Sequence, residues 1–544
     1  MKYFILPFLS LLVLCTQAKA DWSLSDDGTL SITSNYDYYN FYKYPWHGQC
    51  ESIKKVVITE SVTSIGMAAF YDCSSLASIE IPSSVISISE RAFRGCSSLA
   101  SIEIPSSVIS IGKYAFFGCS SLTSIEIPSS VTSIGEAAFS GCSSLTSIKV
   151  DANNTVYDSR NNCNAIIETA SIELIAGCKS AVIPNDVTSI RGYAFYGCNS
   201  LMGIEIPSCV TSIGMDAFAD CSSLASIEIP SSVISIGARA FRGCSSLASI
   251  EIPSCVTSIG EFAFRDCSSL TSINIPSGVT SIGGYTFYGC SSLTSINIPS
   301  GVTFIGMQAF YGCSSLTSIK VDANNMVYDS RNNCNAIIET ASNKLIAGAN
   351  STVIPNDVTS IGMDAFADRS GLTSIEIPSS VISIGKAAFS GCSSLSSIKV
   401  DVNNAVYDSR NNCNAIIKTS SNKLIVGCRS TVIPNDVATI GEYAFRGCSS
   451  LTSIEISSSV TSIDEGAFFG CSSLTSIEIP SGVTSIGWRV FEGCSSLTSV
   501  ISYITEPATC DYWIGLESSQ HIFIPKGTEK AYKAAWGYYS YVER

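Results

Sequence analysis

Charge is scarce in this sequence, and histidine scarcer still. Charged residues make up 14% of the 544 positions, and the only histidines are His47 and His521, near the two ends. Catalysis at neutral pH leans on imidazole more than on any other side chain. The long middle of the chain therefore holds no nucleophile–base pair built on histidine. No P-loop, dinucleotide fingerprint or HExxH zinc motif occurs. Basic residues are also short, with 31 Lys and Arg against 45 Asp and Glu and a net charge of −14. A chain that tracks phosphates needs a basic face, so nucleic acid is not an expected partner. After the N-terminus there is no apolar run of about 18 residues, so no transmembrane helix is expected in the mature chain. These absences predict a protein that is not an enzyme and uses no cofactor or metal.

Residues 1–20 read as a signal peptide. Lys2 supplies the positive start, Tyr3 to Leu14 the apolar run, and Ala18-Lys19-Ala20 the small-x-small cleavage site. The expected location is therefore secreted or cell-surface. A rival reading lipidates Cys15, but Leu14 is large for that motif.

What the sequence has in abundance is itself. The unit CSSLTSIEIPSSVTSIGEAAFSG, Cys119 to Gly141, spans 23 residues. Its phenylalanine recurs in fifteen copies, from Phe70 to Phe491, at steps of 23 residues interrupted by three steps of 56. Leu122-x-x-Ile125-x-Ile127 alternates as a short strand, and Val131-Thr-Ser-Ile134 is a second extended piece. Pro128 ends the first strand because it cannot donate a ladder hydrogen bond. One unit cannot stand alone. Ordering each residue costs about 1–2 kcal/mol, and burying one Leu, Ile or Phe returns only about 1.5–3 kcal/mol. Stacked neighbours share apolar columns, so the expected architecture is a solenoid.

The pattern Leu-x-x-Ile-x-Ile-Pro…Val-x-x-Ile-Gly-x-x-Ala-Phe-x-x-Cys resembles the BspA-type leucine-rich repeats over about residues 53–500. The resemblance implies a leucine-rich-repeat, β-solenoid-like right-handed coil with short strands, short turns or helical segments, and capped ends. The caps are expected at 21–52, where Trp22-Ser-Leu and Asp27-Gly-Thr-Leu resemble the opening strands of such proteins, and at 501–544, where Phe523-Ile-Pro-Lys-Gly and Ala531-Tyr532 resemble the closing segment. It also implies a surface protein that mediates adhesion, contacting host matrix, host cells or other microbes through a protein or glycan ligand. A self-associating structural surface protein is the alternative class. Exposed tyrosines such as Tyr193, Tyr196, Tyr285 and Tyr288 would suit a glycan-binding variant.

The three long steps carry 33 extra residues each, at about 151–183, 322–354 and 401–433. Within the first, Asn164–Thr169 and Glu173–Cys178 flank a tight turn and read as an inserted β-hairpin, either a spacer or a protruding recognition feature. Fourteen of the 24 cysteines form one column, for example Cys96, Cys119 and Cys142. They are expected to be mainly free, buried thiols, since free cysteine packs as a small hydrophobe and Arg369 breaks the column. Cys163 with Cys178 and Cys413 with Cys428 could pair, but Cys334 faces Ala349 in the middle copy.

The residue between the two isoleucines of the first strand points away from the core. It is Glu80, Glu103, Glu126, Glu205, Glu228, Glu251, Glu376, Glu455 and Glu478, Asn274 and Asn297, and Lys149, Lys320 and Lys399. The three lysines stand in the units that lead into a long insert. This ladder reads either as a solvated face or as the surface that binds a basic or cationic partner, with divalent cations as a third possibility. It is the candidate binding face.

Overall fold

Alternation of burial closes each repeat into one turn of a coil. In the unit 119–141, Leu122, Ile125, Ile127, Val131, Ile134, Ala138 and Phe139 are buried, and Thr123, Glu126 and Thr132 between them are exposed. The strand Ser124–Ile127 is followed, past Pro128, by the strand Ser133–Ile134. The Ala-Phe segment is a run of tight turns without helix. All three segments bond to the next turn. Ile125 lies opposite Ile148 in one parallel ladder and Ile111 opposite Ile134 in another, while Phe116 N–H donates to Ala138 O at 2.8 Å. Like therefore stacks on like: the rings of Phe93, Phe116 and Phe139 lie 5.3 and 5.5 Å apart and nearly parallel. This is the parallel-strand β-solenoid that the repeat predicts.

The computed structural model describes residues 21–36, 43–507, 514–516, 520–537 and 539–544. The expected signal peptide, with Cys15, lies outside the described residues. Two compact units are present, 1–157 and 158–544.

In the first unit, Trp22–Leu24 pairs antiparallel with Thr29–Ile32, which runs parallel to Lys55–Ile58. Trp46 covers the exposed end of the phenylalanine column. Its ring stacks on Phe70 at 6.1 Å, and its Nε1–H donates to Ala69 O at 2.8 Å.

In the second unit, the coil ends in parallel strands Ser499–Ser502, His521–Ile524 and Ser540–Glu543. The helix Glu529–Trp536 packs Tyr532, Ala535 and Trp536 inward. The buried Tyr532 hydroxyl donates to Ile504 O at 2.8 Å and lies 2.6 Å from Ser502 Oγ.

The inserted hairpins do not simply protrude. Ala165–Glu168 pairs antiparallel with Glu173–Gly177, and this second strand then runs parallel to the repeat strand Ser189–Ile190. Ala336–Glu339 with Lys344–Gly348, and Ile416–Lys418 with Lys423–Val426, repeat the arrangement. Each hairpin is thus woven into the second-strand ladder, because its apolar strands need neighbours to bury them. An arginine clamps each insert: Arg160 bridges Asp158 and Asp186 at 2.6 and 2.5 Å, and Arg331 bridges Asp329 and Asp357 at 2.5 and 2.6 Å.

The 22 described cysteines are all free. Column thiols donate to the phenylalanine carbonyl of the preceding turn, as in Cys119 to Phe93, Cys244 to Phe218 and Cys290 to Phe264, at 3.1–3.2 Å. Burial pushes Cys119 and Cys244 up to about 12. A thiol held in this way is a poor nucleophile and a poor metal ligand.

Candidate functional site

All fourteen ladder residues are exposed. The backbone places them in register where strands pair: Glu126 opposite Lys149, Glu228 opposite Glu251, Asn297 opposite Lys320, and Glu376 opposite Lys399. Glu205 bridges to Glu228. Two glutamates find partners inside the chain, Glu80 with Lys55 at 2.6 Å and Glu478 with the Tyr503 hydroxyl at 3.1 Å. Among the described residues, no ion pair involves the other seven or the three ladder lysines. Like charges one strand apart, about 5 Å, repel by about 0.8 kcal/mol in a water-like dielectric. The face thus carries a standing excess of negative charge that an incoming cation would relieve.

The ladder is not uniform, and here the sequence reading missed a feature. The turn that closes each insert is shorter than a repeat, and a valine takes the place of the glutamate. Val182, Val353 and Val432 are 68%, 73% and 71% exposed. Aligning the Ile-Pro pairs of 183–184, 354–355 and 433–434 with Ile127-Pro128 would have revealed them. Two clefts lie on this face beside the short turns. One, of about 540 Å³, is lined by Val353, Asn356, Glu376, Lys399 and Asp401. The other, of about 730 Å³, is lined by Asn435, Glu455, Glu478 and Tyr503.

The tyrosines lie on a different side of the coil, in the Ala-Phe segments. The ring of Tyr285 stacks on Phe262 at 4.7 Å and that of Tyr288 on Tyr311 at 4.9 Å, within 5° of parallel. Each of these rings turns a face to its neighbour, whereas the rings of Tyr193 and Tyr196 lie 5.9 Å apart and tilted by 49°.

A smaller cavity, of about 220 Å³, lies between the Ala-Phe segments that flank the second insert. At its wall is Arg369, 1% exposed. It stands in the cysteine column and donates through Nε to Gly348 O at 2.7 Å and through Nη1 to Phe310 O and Ala367 O at 3.1 and 3.2 Å. Burial holds its guanidinium below the usual arginine range. Of the histidines, His521 Nδ1 lies 2.8 Å from Ser540 Oγ in the closing strands, and His47 opens a short 3-10 helix.

The profile described as BspA type leucine-rich repeat region, in six copies, matches residues 41–168, 165–261, 234–343, 344–425 and 416–538. No curated protein matches the chain. Among solved structures, a leucine-rich repeat protein from Eubacterium ventriosum is 27% identical over 55% of this chain and 93% of its own, with a TM-score of 0.44. One from Bacteroides ovatus is 22% identical over 96% of this chain and 97% of its own, with a TM-score of 0.33. The pneumococcal vaccine antigen PcpA is 15% identical over 71% of this chain and 98% of its own, with a TM-score of 0.31.

Proposed function

The chain belongs to the family of BspA-type leucine-rich repeats, and from that premise we propose that it is a secreted or cell-surface recognition protein. Its first-strand face holds a protein partner through the partner's basic residues. One observation carries this reading. Glu103, Glu126, Glu205, Glu228, Glu251, Glu376 and Glu455 are exposed, and none forms an ion pair among the described residues; of these, Glu126 and Glu376 stand opposite a ladder lysine, Lys149 and Lys399. Within each unit, a run of such carboxylates steers a basic surface and gains affinity by repetition rather than from any single strong contact. Adhesion to host matrix, host cells or other microbes is the biological form of the proposal.

The test is a binding screen of the mature chain against matrix proteins and mucins at two salt concentrations. Binding should weaken as salt rises. The double variant Glu126→Lys, Glu228→Lys should lose affinity and most of the salt dependence. A partner held equally well by the double variant, with the same salt response, would sink the proposal.

A further inference from the structure

At the second insert the Ala-Phe side of the coil loses its regular hydrogen bonds, and the donors left over face a cavity. In a regular turn, the residue two before the column phenylalanine and the phenylalanine itself each donate an N–H to the next turn. Tyr285 donates to Met307 O at 3.0 Å and Phe287 to Ala309 O at 2.9 Å. One turn later the same donors are the N–H groups of Gln308 and Phe310. The Ala-Phe turn that follows them is the one around Phe366, beyond the insert. There Ala365 O is claimed by Gly348 N–H at 2.8 Å, at the end of the inserted strand. Among the described residues, neither the Gln308 nor the Phe310 N–H meets an acceptor. Phe310 is 3% exposed, and a buried N–H without an acceptor is rare and costly. Both residues line the cavity of about 220 Å³.

Charge is unbalanced at the same cavity. A guanidinium carries five N–H bonds. In Arg369 the one on Nε and the two on Nη1 meet carbonyl oxygens. Among the described residues, the two on Nη2 meet none, and the group has no ion pair. A buried cation without a counter-charge is costly. Lys344 also lines the cavity; it is exposed and, among the described residues, forms no ion pair. The other titratable groups on the wall are Tyr311 and Asp364. Burial pushes the Tyr311 phenol up to about 12, so it is neutral. Asp364 Oδ2 accepts from Gln308 Nε2 at 2.7 Å. Two cations thus stand against one carboxylate. Ile346, Met307 and Met363 add apolar wall, and the two methionines, 64% and 58% exposed, stand where it meets solvent. The cavity beside the third insert has no arginine on its wall, and its Lys386 and Lys423 are paired with Glu442 and Asp464 at 3.2 and 2.7 Å.

We propose that the cavity beside the second insert binds a small monocarboxylate, an anion with a short apolar tail. Arg369 Nη1 already bonds Phe310 O, so Nη2 and the Phe310 N–H belong to one neighbourhood and receive the carboxylate together. A guanidinium edge and a backbone N–H are both suited to carboxylate oxygens. Lys344 adds attraction at the mouth, and the tail packs on Ile346, Met307 and Met363, whose thioethers adapt to its shape. A volume of about 220 Å³ takes on the order of six to ten non-hydrogen atoms. This site is independent of the first-strand face.

The test titrates sodium butanoate into the full chain by isothermal calorimetry at fixed ionic strength. Butanamide serves as the neutral match, and a glutamate-containing peptide as a parallel arm. Butanoate should saturate one site, butanamide should not bind, and hydrogen exchange at the Phe310 N–H should slow in the complex. Asp364→Asn should bind several-fold more tightly. It removes the opposing charge, keeps an acceptor for Gln308, and suits the left-handed backbone at that position, with φ of 55°. Met363→Trp, at an exposed position, should block the mouth without touching the core. The paired exchange Ala349→Cys, Arg369→Cys, which copies the third insert, should bind at least about tenfold more weakly. Lys386→Gln, at the third insert, should bind as the parent does. Absence of saturable butanoate binding in the parent overturns the proposal, as does equal binding of butanamide. So does unchanged binding in Met363→Trp, weaker binding in Asp364→Asn, or capture of the peptide without capture of butanoate.

Discussion

The second and third long units are close copies in sequence, yet they fill the same gap in opposite ways. Each insert lacks an Ala-Phe turn, and a cavity of about 220 Å³ lies beside each. After the third insert the column residue is Cys448, whose thiol lies 3.8 Å from Gly427 O, and Cys428 is buried close by. After the second insert both cysteines are replaced, by Arg369 and Ala349. The guanidinium reaches Gly348 O at 2.7 Å and crosses the whole insert to Phe310 O at 3.1 Å. The smaller Ala349 leaves volume beside it. One solution meets the carbonyls with a long thiol contact at Gly427 O and the Cys392 N–H at Phe389 O, and keeps the core neutral. The other satisfies them at the expense of burying a charge. Where a repeat is broken, the missing hydrogen bonds are the problem to be solved, and packing follows from how they are met.

The sharpest way to break this comparison is Arg369→Ala. It removes the guanidinium from three carbonyls, of which Phe310 O keeps the Cys313 N–H, and opens a cavity, so we expect local stability around 310–369 to fall by about 3–5 kcal/mol. Native-state hydrogen exchange resolves such a loss in a repeat protein, where unfolding need not be all-or-none; unchanged protection at Gly348 to Arg369 would refute it. Next in size is the exchange that turns one unit into the other, Ala349→Cys with Arg369→Cys. Ala349→Cys alone should destabilise by crowding the guanidinium, and the pair should recover at least about 1 kcal/mol of that as a double-mutant coupling. Simple additivity would mean that the two positions are not a matched pair.

The smallest effect concerns the regular column. Cys244 is raised from the ordinary thiol value of 9.0 to about 12 by burial. The folded state therefore holds its proton where the unfolded state has lost it. The contribution is fully present below pH 9 and declines as pH rises toward 12. A stability profile that stayed flat through that window in parent protein, or rapid labelling of Cys244 in the native state at pH 8, would contradict it. Exposed Cys209 should label first.

Most of the fold was legible because burial dictates it. Leu122, Ile125, Ile127, Val131 and Ile134 announce two strands and a coil, and their recurrence announces the stack. The outward ladder was equally plain, since alternation leaves Glu126 and its equivalents no other direction. The family resemblance read from the same positions holds. What periodicity could not show were the departures from it. The loss of a glutamate at Val353 depends on a turn shortened by its neighbours. The weaving of Lys344–Gly348 into the ladder depends on which edge is left unpaired. That Tyr285 stacks on Phe262 one turn away is likewise a property of the stack that no local pattern shows.

Interchangeable turns carry a hazard of their own. A chain whose units are nearly identical can close with its strands displaced by a whole repeat, and every isoleucine would still meet an isoleucine. Arg369 removes that degeneracy where it stands. Displaced by one unit, its guanidinium would face a thiol column with no carbonyl left unclaimed and no Ala349 to make room. A single odd residue thus works as an index mark, telling one turn from the next in a stack that otherwise cannot count.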